Sequence, residues 1–285
     1  MIGRFFRVIK FHLRCLFDTF FWLLHQLRRG NFRNYLSKED KKRSLIILAT
    51  GPSLKDDLAQ GICNLSASDI CVVNEFCKHP MFEKLKPTFY LLADPLYFCE
   101  ELMGESDKQT IQILSNISWN ITIYVPFHYY RKIYTKLESQ YVKVCPYHCN
   151  PYPGWFSVRN YLYDKGLSMP VAQNVLIPSI FNGINLGYKQ IELYGVDHSW
   201  TKEIRVNSDN QVCLCDCHFY DNDKPTLSPW KKCEGEVYKM HEILRDLALM
   251  FEGYQQLKEY AAQKGCRIVN RTKDSFIDAF ERGGS

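Results

Sequence analysis

The sequence predicts an α/β fold, a mostly parallel sheet with helices on both faces, and three observations carry that prediction. From residue 44 onward, short apolar runs alternate with helix-like stretches through most of the 285-residue chain. This order builds parallel strands joined by crossover helices. Leu45-Ile46-Ile47-Leu48-Ala49-Thr50-Gly51-Pro52-Ser53-Leu54 runs from a buried strand through a tight turn into a helix. About 140 residues later, Asn182-Gly183-Ile184-Asn185-Leu186-Gly187 closes a helix, and the strand after it delivers Gly195 and Asp197 to its carboxyl end. Ligands of open α/β sheets collect outside the carboxyl ends of the strands. Both segments therefore point at one crevice, and the turn chemistry points to a ligand carrying phosphate.

Residues 3–29 have helical periodicity. Arg4, Arg7, Lys10, Arg14, Asp18, His25, Arg28 and Arg29 fall within about a third of a turn, while Phe5, Phe6, Ile9, Leu13, Leu16, Phe20, Leu23, Leu24 and Leu27 lie elsewhere around it. Charges interrupt the apolar residues too often for a membrane span of about 20 residues or for a signal peptide. A basic face opposite Phe, Trp and Leu suits a helix lying flat in an anionic membrane interface; packing on the protein itself or on a partner is the alternative. Residues 1–36 are thus expected to be an amphipathic, membrane-associated segment, 37–43 a solvated linker, and 44–285 one domain with a lid around 198–234.

Within that domain, strands are expected at 44–49, 69–74, 89–93, 120–126, 142–145, 190–194 and 266–269. Helices are expected from 53 to 60, at 171–187, once or twice within 235–264, and at 275–280 as a closing element. Leu244, Leu247, Leu249, Met250 and Phe251 are core candidates of the long helical stretch.

The net charge of +5 is modest and concentrated in the first 35 residues, so the body does not read as a nucleic-acid binder. The 12 cysteines are scattered through a medium-sized chain and read as mostly reduced thiols of a cytoplasmic protein. Cys213, Cys215 and Cys217 alternate at every second residue, with Cys233 nearby, whereas zinc sites space cysteines by two to four residues. A cysteine-lined strand is therefore expected there, and metal binding is left open.

At the crevice, Gly51 permits close backbone approach, and Ser53 is expected as the helix N-cap, leaving free first-turn amides to face an anion. The Gly-x-Gly-x-x-Gly and Gly-Lys-Ser/Thr spacings are absent, which rejects dinucleotide and P-loop readings. Thr50, Asn74 and Asp94 end three successive strands and can line one cleft, although each alone is an ordinary turn residue. His198 follows Asp197 at a strand end, and His128-Tyr129-Tyr130-Arg131 reads as a loop entering a helix. His218 leaves the cysteine strand into a polar loop, from which an imidazole can act as general base.

The order Gly-Pro-Ser-Leu-Lys, strand ending in Asn, strand ending in Asp-Pro, then Leu-Gly-Tyr-Lys-x-Ile-x-Leu-x-Gly-x-Asp resembles the bacterial lipooligosaccharide sialyltransferases. The resemblance covers roughly residues 44–100 and 170–282. It implies a Rossmann-like domain with a flexible lid and a metal-independent, inverting transfer from CMP-N-acetylneuraminate. It matches Gly51, Pro52 and Ser53 to the nucleotide-binding turn and Asn74 to a donor-contacting strand end. Asp94 and Thr50 stand where that family has asparagines, and the family's Arg and Thr-Ser-Gly run before the Leu-Gly-Tyr helix are replaced by residues 172–179. By chain order, His218 corresponds to the lid histidine base and Tyr220 is the candidate phosphate-binding tyrosine.

The expectation is a peripheral inner-membrane transferase using a CMP-activated sialic-acid-like or Kdo-like donor and a glycolipid, lipopolysaccharide or capsule acceptor. It needs no cofactor and no metal, and homo-oligomers remain open. His218 is the expected base. Thr50, Gly51, Pro52, Ser53, Asn74, Asp94, Asn174, Gly195, Asp197 and Tyr220 are the expected donor-binding residues. The same Gly-Pro-Ser start occurs in MptE-like pterin diphosphokinases, which would use Mg²⁺ held by Asp94 and Asp197. An inactive scaffold of the same fold is the third possibility.

Overall fold

The structure is a computed structural model that describes residues 2–36, 38–39, 41–62, 65–214, 227–232 and 235–283. A long helix, α1 (Ile2–Arg29), precedes β1 (Leu45–Leu48), α2 (Leu54–Gln60), β2 (Asp69–Val73), α3 (Met81–Leu85), β3 (Phe89–Leu91), α4 (Glu105–Ser115), β4 (Ile121–Pro126), α5 (Phe127–Leu137) and β5 (Val142–Tyr147). Then come α6 (Phe156–Asp164), α7 (Leu176–Leu186), β6 (Gln190–Tyr194), α8 (Trp200–Glu203), β7 (Ile204–Val206), β8 (Val212–Leu214), β9 (Ser228–Pro229), α9 (Met240–Lys264), β10 (Arg267–Asn270) and β11 (Glu281–Arg282).

Eight strands form one sheet in the order β11-β10-β6-β1-β2-β3-β4-β5, and every pairing in it is parallel. Alternate residues of each strand feed two cores. Leu45, Ile47, Ile191 and Leu193 pack with α7 and α9 on one face. Ile46, Leu48, Val72 and Ile123 pack with α2 to α5 on the other. The expected α/β architecture is the one found. Chain order fixes where ligands belong: β1 to β5 run outward in one direction, and the return through α6 and α7 places β6 on the opposite side of β1. The β1/β6 boundary is thus a topological switch point.

Segment 198–234 contributes a separate three-stranded antiparallel sheet, β7-β8-β9, and Cys213 is buried within β8. His218, Tyr220, Cys215, Cys217 and Cys233 lie outside the described residues. All the described cysteines are free thiols.

Four local expectations need correction. Residues 275–280 are not a helix, because their polar groups have other partners. The Phe276 amide donates to the Asp197 carbonyl at 2.9 Å, the Ser275 hydroxyl to the Val196 carbonyl, and the Arg282 guanidinium to the carbonyls of Thr272, Ser275 and Ile277. His128 to Arg131 are not a loop, since α5 begins at Phe127. The 171–187 helix is confined to α7, and within α9 the buried stripe is Ile243, Leu247, Met250, Tyr254 and Leu257, with Leu244 exposed.

Helix α1 touches the body along a narrow strip. Cys15, Trp22 and Gln26 are buried, and Trp22 packs with Tyr152, Leu162 and Leu167. The Asn150 amide donates to Gln26 Oε1 at 3.2 Å. Phe5, Ile9, Leu13, Leu16, Phe20, Leu23 and Leu27 are exposed; at 100° per residue they form a separate face centred roughly a third of a turn around the helix from that strip. Among the described residues no helix is long and apolar enough to cross a membrane. The linker is more than a solvated tether: the Glu39 amide donates to the Leu186 carbonyl at 3.1 Å. It passes so close to Gly187 that a Cβ there would stand 2.0 Å from the Glu39 carbonyl oxygen.

Candidate functional site

The two predicted turns meet at the switch point. Beyond β1 and β6 the ladder continues, with the Ala49 amide donating to the Tyr194 carbonyl at 3.0 Å and the Gly51 amide to the Gly195 carbonyl at 2.9 Å. Gly195 takes a left-handed φ of 67°. Gly51 is required by crowding: a Cβ there would lie 2.5 Å from the Gly195 carbonyl and 2.0 Å from Asp197 Oδ2. The close approach at Gly51 is thus to the protein's own Asp197.

Asp197 stands where a phosphate was expected. Its carboxylate accepts the Ser53 hydroxyl at 2.8 Å and the Ser53 amide at 3.3 Å. Ser53 is consequently not a side-chain N-cap; its backbone is already helical and its hydroxyl is engaged elsewhere. The first-turn amides are not free for an anion, and Asp56 and Asp57 add negative charge at the start of α2, where the helix dipole favours it. Burial raises the Asp197 carboxyl, against the lowering effect of the Ser53 hydrogen bonds. Asp57 is pushed up to about 6, first by burial and then by the charge of Asp197. Its Oδ2 is buried without a hydrogen-bond partner among the described residues. A carboxyl in that range can take or release a proton near neutral pH.

Along the same sheet edge, Thr50, Asn74 and Asp94 follow β1, β2 and β3, three neighbouring strands. The Thr50 hydroxyl is partly buried and makes no hydrogen bond among the described residues. Asn74 is more telling. It has a left-handed φ of 49°, a conformation that side chains other than glycine and asparagine seldom adopt. The Tyr90 hydroxyl donates to its carbonyl, and its side-chain Oδ1 is buried with no hydrogen-bond partner among the described residues. Asp94 is an exposed turn residue whose carboxylate accepts the Leu96 amide at 3.0 Å, capping the turn that Pro95 opens. Pro52 is exposed and shapes the turn, its carbonyl accepting the Lys55 amide.

Asn174 departs from its expected role in donor recognition. Its Oδ1 accepts the Leu176 and Ile177 amides at the start of α7, and its Nδ2 donates to the Tyr254 hydroxyl at 2.7 Å. That hydroxyl lies 2.6 Å from His198 Nε2. Burial pushes His198 down to about 3, which keeps its ring neutral as it shares a hydrogen bond with that hydroxyl. The half-buried Asn174 and the buried His198 and Tyr254 together pin the loop after Asp197 to α7 and α9, which makes Asn174 and His198 positioning groups.

Asp57, Tyr254 and the pairing of Glu192 with Arg271 escape a linear reading. Glu192 is buried in β6 and accepts the Arg271 guanidinium at 2.9 Å. The only linear hint was a charge inside an otherwise apolar strand. No family model matches the chain, and no curated protein sequence matches it.

Proposed function

We propose that the protein is a glycosyltransferase of the sialyltransferase-like type, moving a sialic-acid-like or Kdo-like sugar from a CMP donor to a glycolipid or capsular acceptor. The observation that carries the reading is Asn74. A left-handed backbone and a buried amide oxygen with no partner among the described residues, at a strand end beside the switch point, are what a ligand-orienting residue retains for its ligand. That oxygen suits a ribose hydroxyl or the cytosine amine, and Thr50 adds a second free polar group. The acceptor hydroxyl attacks the anomeric carbon, the bond to the phosphate oxygen breaks, and CMP departs with the electron pair. In this reading His218 takes the acceptor proton and Tyr220 meets the phosphate charge. The Gly51–Ser53 amides have no part in that stabilisation, because Gly195 and Asp197 occupy them.

The engagement of Asp94 with Leu96 and of Asp197 with Ser53 favours the transferase over the diphosphokinase, which would need both as Mg²⁺ ligands. The exposed apolar face of α1, flanked by Arg7, Lys10, Arg14 and Arg28, supports attachment to an anionic membrane on the cytoplasmic side, where a lipid-linked acceptor resides. The test is CMP release from CMP-sialic acid and CMP-Kdo, with glycolipid acceptors and excess EDTA. His218→Ala should abolish release while retaining CMP binding, and Asn74→Ala should weaken CMP binding. Unchanged turnover in His218→Ala would remove the base assignment, and unchanged CMP affinity in Asn74→Ala would remove the donor-site assignment.

A further inference from the structure

Beyond the switch point, the carboxyl end of β10 and the strand β11 wall an open cavity of about 730 Å³. Its lining includes Lys202, Arg271, Lys273 and Arg282 against a single carboxylate, Asp274. Arg271 is neutralised by Glu192. The other three cations have no carboxylate partner among the described residues. Lys202 lies over the Phe276 ring at 4.8 Å, Arg282 donates only to backbone carbonyls, and Lys273 is exposed. The backbone adds donors of its own. Asp274 takes a left-handed φ of 56°, and neither its amide nor that of Lys273 has an acceptor among the described residues. Successive amides around a left-handed residue make a concavity suited to an oxyanion. Surrounding cations add long-range attraction and charge-assisted hydrogen bonds.

We propose that this cavity is a binding site for a phosphate or pyrophosphate group, held by Lys202, Lys273, Arg282 and the 273–274 backbone. Excess positive charge is otherwise destabilising by self-repulsion, and here it is built into a concave wall at the ligand-bearing edge of a parallel sheet. The site adjoins the crevice, since the Phe276 amide on its wall donates to the Asp197 carbonyl. It does not depend on the glycosyltransferase reading. Arg282 also holds the 272–277 loop together, which leaves Lys202 and Lys273 as the residues to alter.

The test is calorimetric titration of the full chain with inorganic pyrophosphate. The wild type should bind one equivalent, more weakly as salt rises from about 50 to 200 mM. Lys202→Ala/Lys273→Ala should weaken binding by about tenfold or more with an unchanged melting temperature. Single Lys273→Ala, at an exposed side chain with no ion pair, should give an intermediate loss and guards against misfolding of the double variant. No saturable binding at about 10 mM pyrophosphate, or equal affinity in the wild type and both variants, would overturn the proposal. A parallel titration with CDP distinguishes the source of the phosphate. CDP binding lost in the double variant assigns it to a nucleotide; CDP binding retained while pyrophosphate binding is lost assigns it to another phosphorylated molecule.

Discussion

Replacing Asp57 by asparagine should stabilise the protein at neutral pH and leave it unchanged in acid. The carboxyl rises from a usual value of 3.8 to about 6 in the fold, chiefly through burial and then through the charge of Asp197. Below pH 3.8 both folded and unfolded chains carry the proton, and the fold bears no penalty. Between about 4 and 6 the unfolded chain has released a proton that the folded one retains, so stability falls as pH rises. Above 6 the full cost persists: the gap of about two pH units corresponds to about 3 kcal/mol as a ceiling. Partial solvent access at the crevice brings this to about 1–2 kcal/mol. Urea unfolding of wild type and Asp57→Asn across pH 3.5–8 provides the assay, the difference between them cancelling the other carboxylates. The variant should be more stable by about 1–2 kcal/mol at pH 7.5, with the advantage vanishing below pH 4. A constant difference across pH, or a variant less stable at pH 7.5, would refute the reasoning.

Other substitutions test separate parts of the structure. Gly51→Ala, whose Cβ would sit 2.5 Å from the Gly195 backbone carbonyl, should cost about 2–3 kcal/mol, read as a lower urea midpoint. Arg271→Ala strands Glu192 inside the sheet without its guanidinium and should cost about 3–5 kcal/mol; Glu192→Gln on that background should recover part of the loss. Leu13→Asp/Leu16→Asp/Phe20→Asp alters exposed positions of α1. It should leave the melting temperature in place and abolish co-flotation with anionic vesicles, and retained flotation would place the membrane contact elsewhere. Trp22→Ala removes the buried anchor of α1 and should speed proteolysis in the 30–43 segment with little change in the unfolding of the body.

The sheet was legible because its signals are local. Apolar runs of strand length, punctuated by Gly51-Pro52-Ser53 and by Gly187 and Gly195, placed β1, β6 and the crevice at their carboxyl ends, whereas the switch point between them needed the strand order. What stayed hidden depends on partners distant in sequence. Ser53 looks like a helix cap until Asp197, 144 residues on, takes its hydroxyl. Asn174 looks like a free polar residue until α7 and Tyr254 engage both ends of its amide. The apolar pattern of 275–280 suggested a helix, but Asp197, Val196 and Arg282 hold that backbone irregular. In α1, periodicity separated basic from apolar residues, yet only contacts at Cys15, Trp22 and Gln26 reveal which side meets the body.

The central claim is that the crevice binds a cytidine nucleotide without metal, and thermal unfolding with CMP, CDP, UMP, UDP, ADP and ATP, each with Mg²⁺ or EDTA, tests it most directly. A ligand at about 100 times its dissociation constant adds roughly 2.7 kcal/mol, a shift of several degrees. Stabilisation by CMP or CDP that survives EDTA is the expected result. A response to ATP that requires Mg²⁺, or no response to any nucleotide, would contradict it.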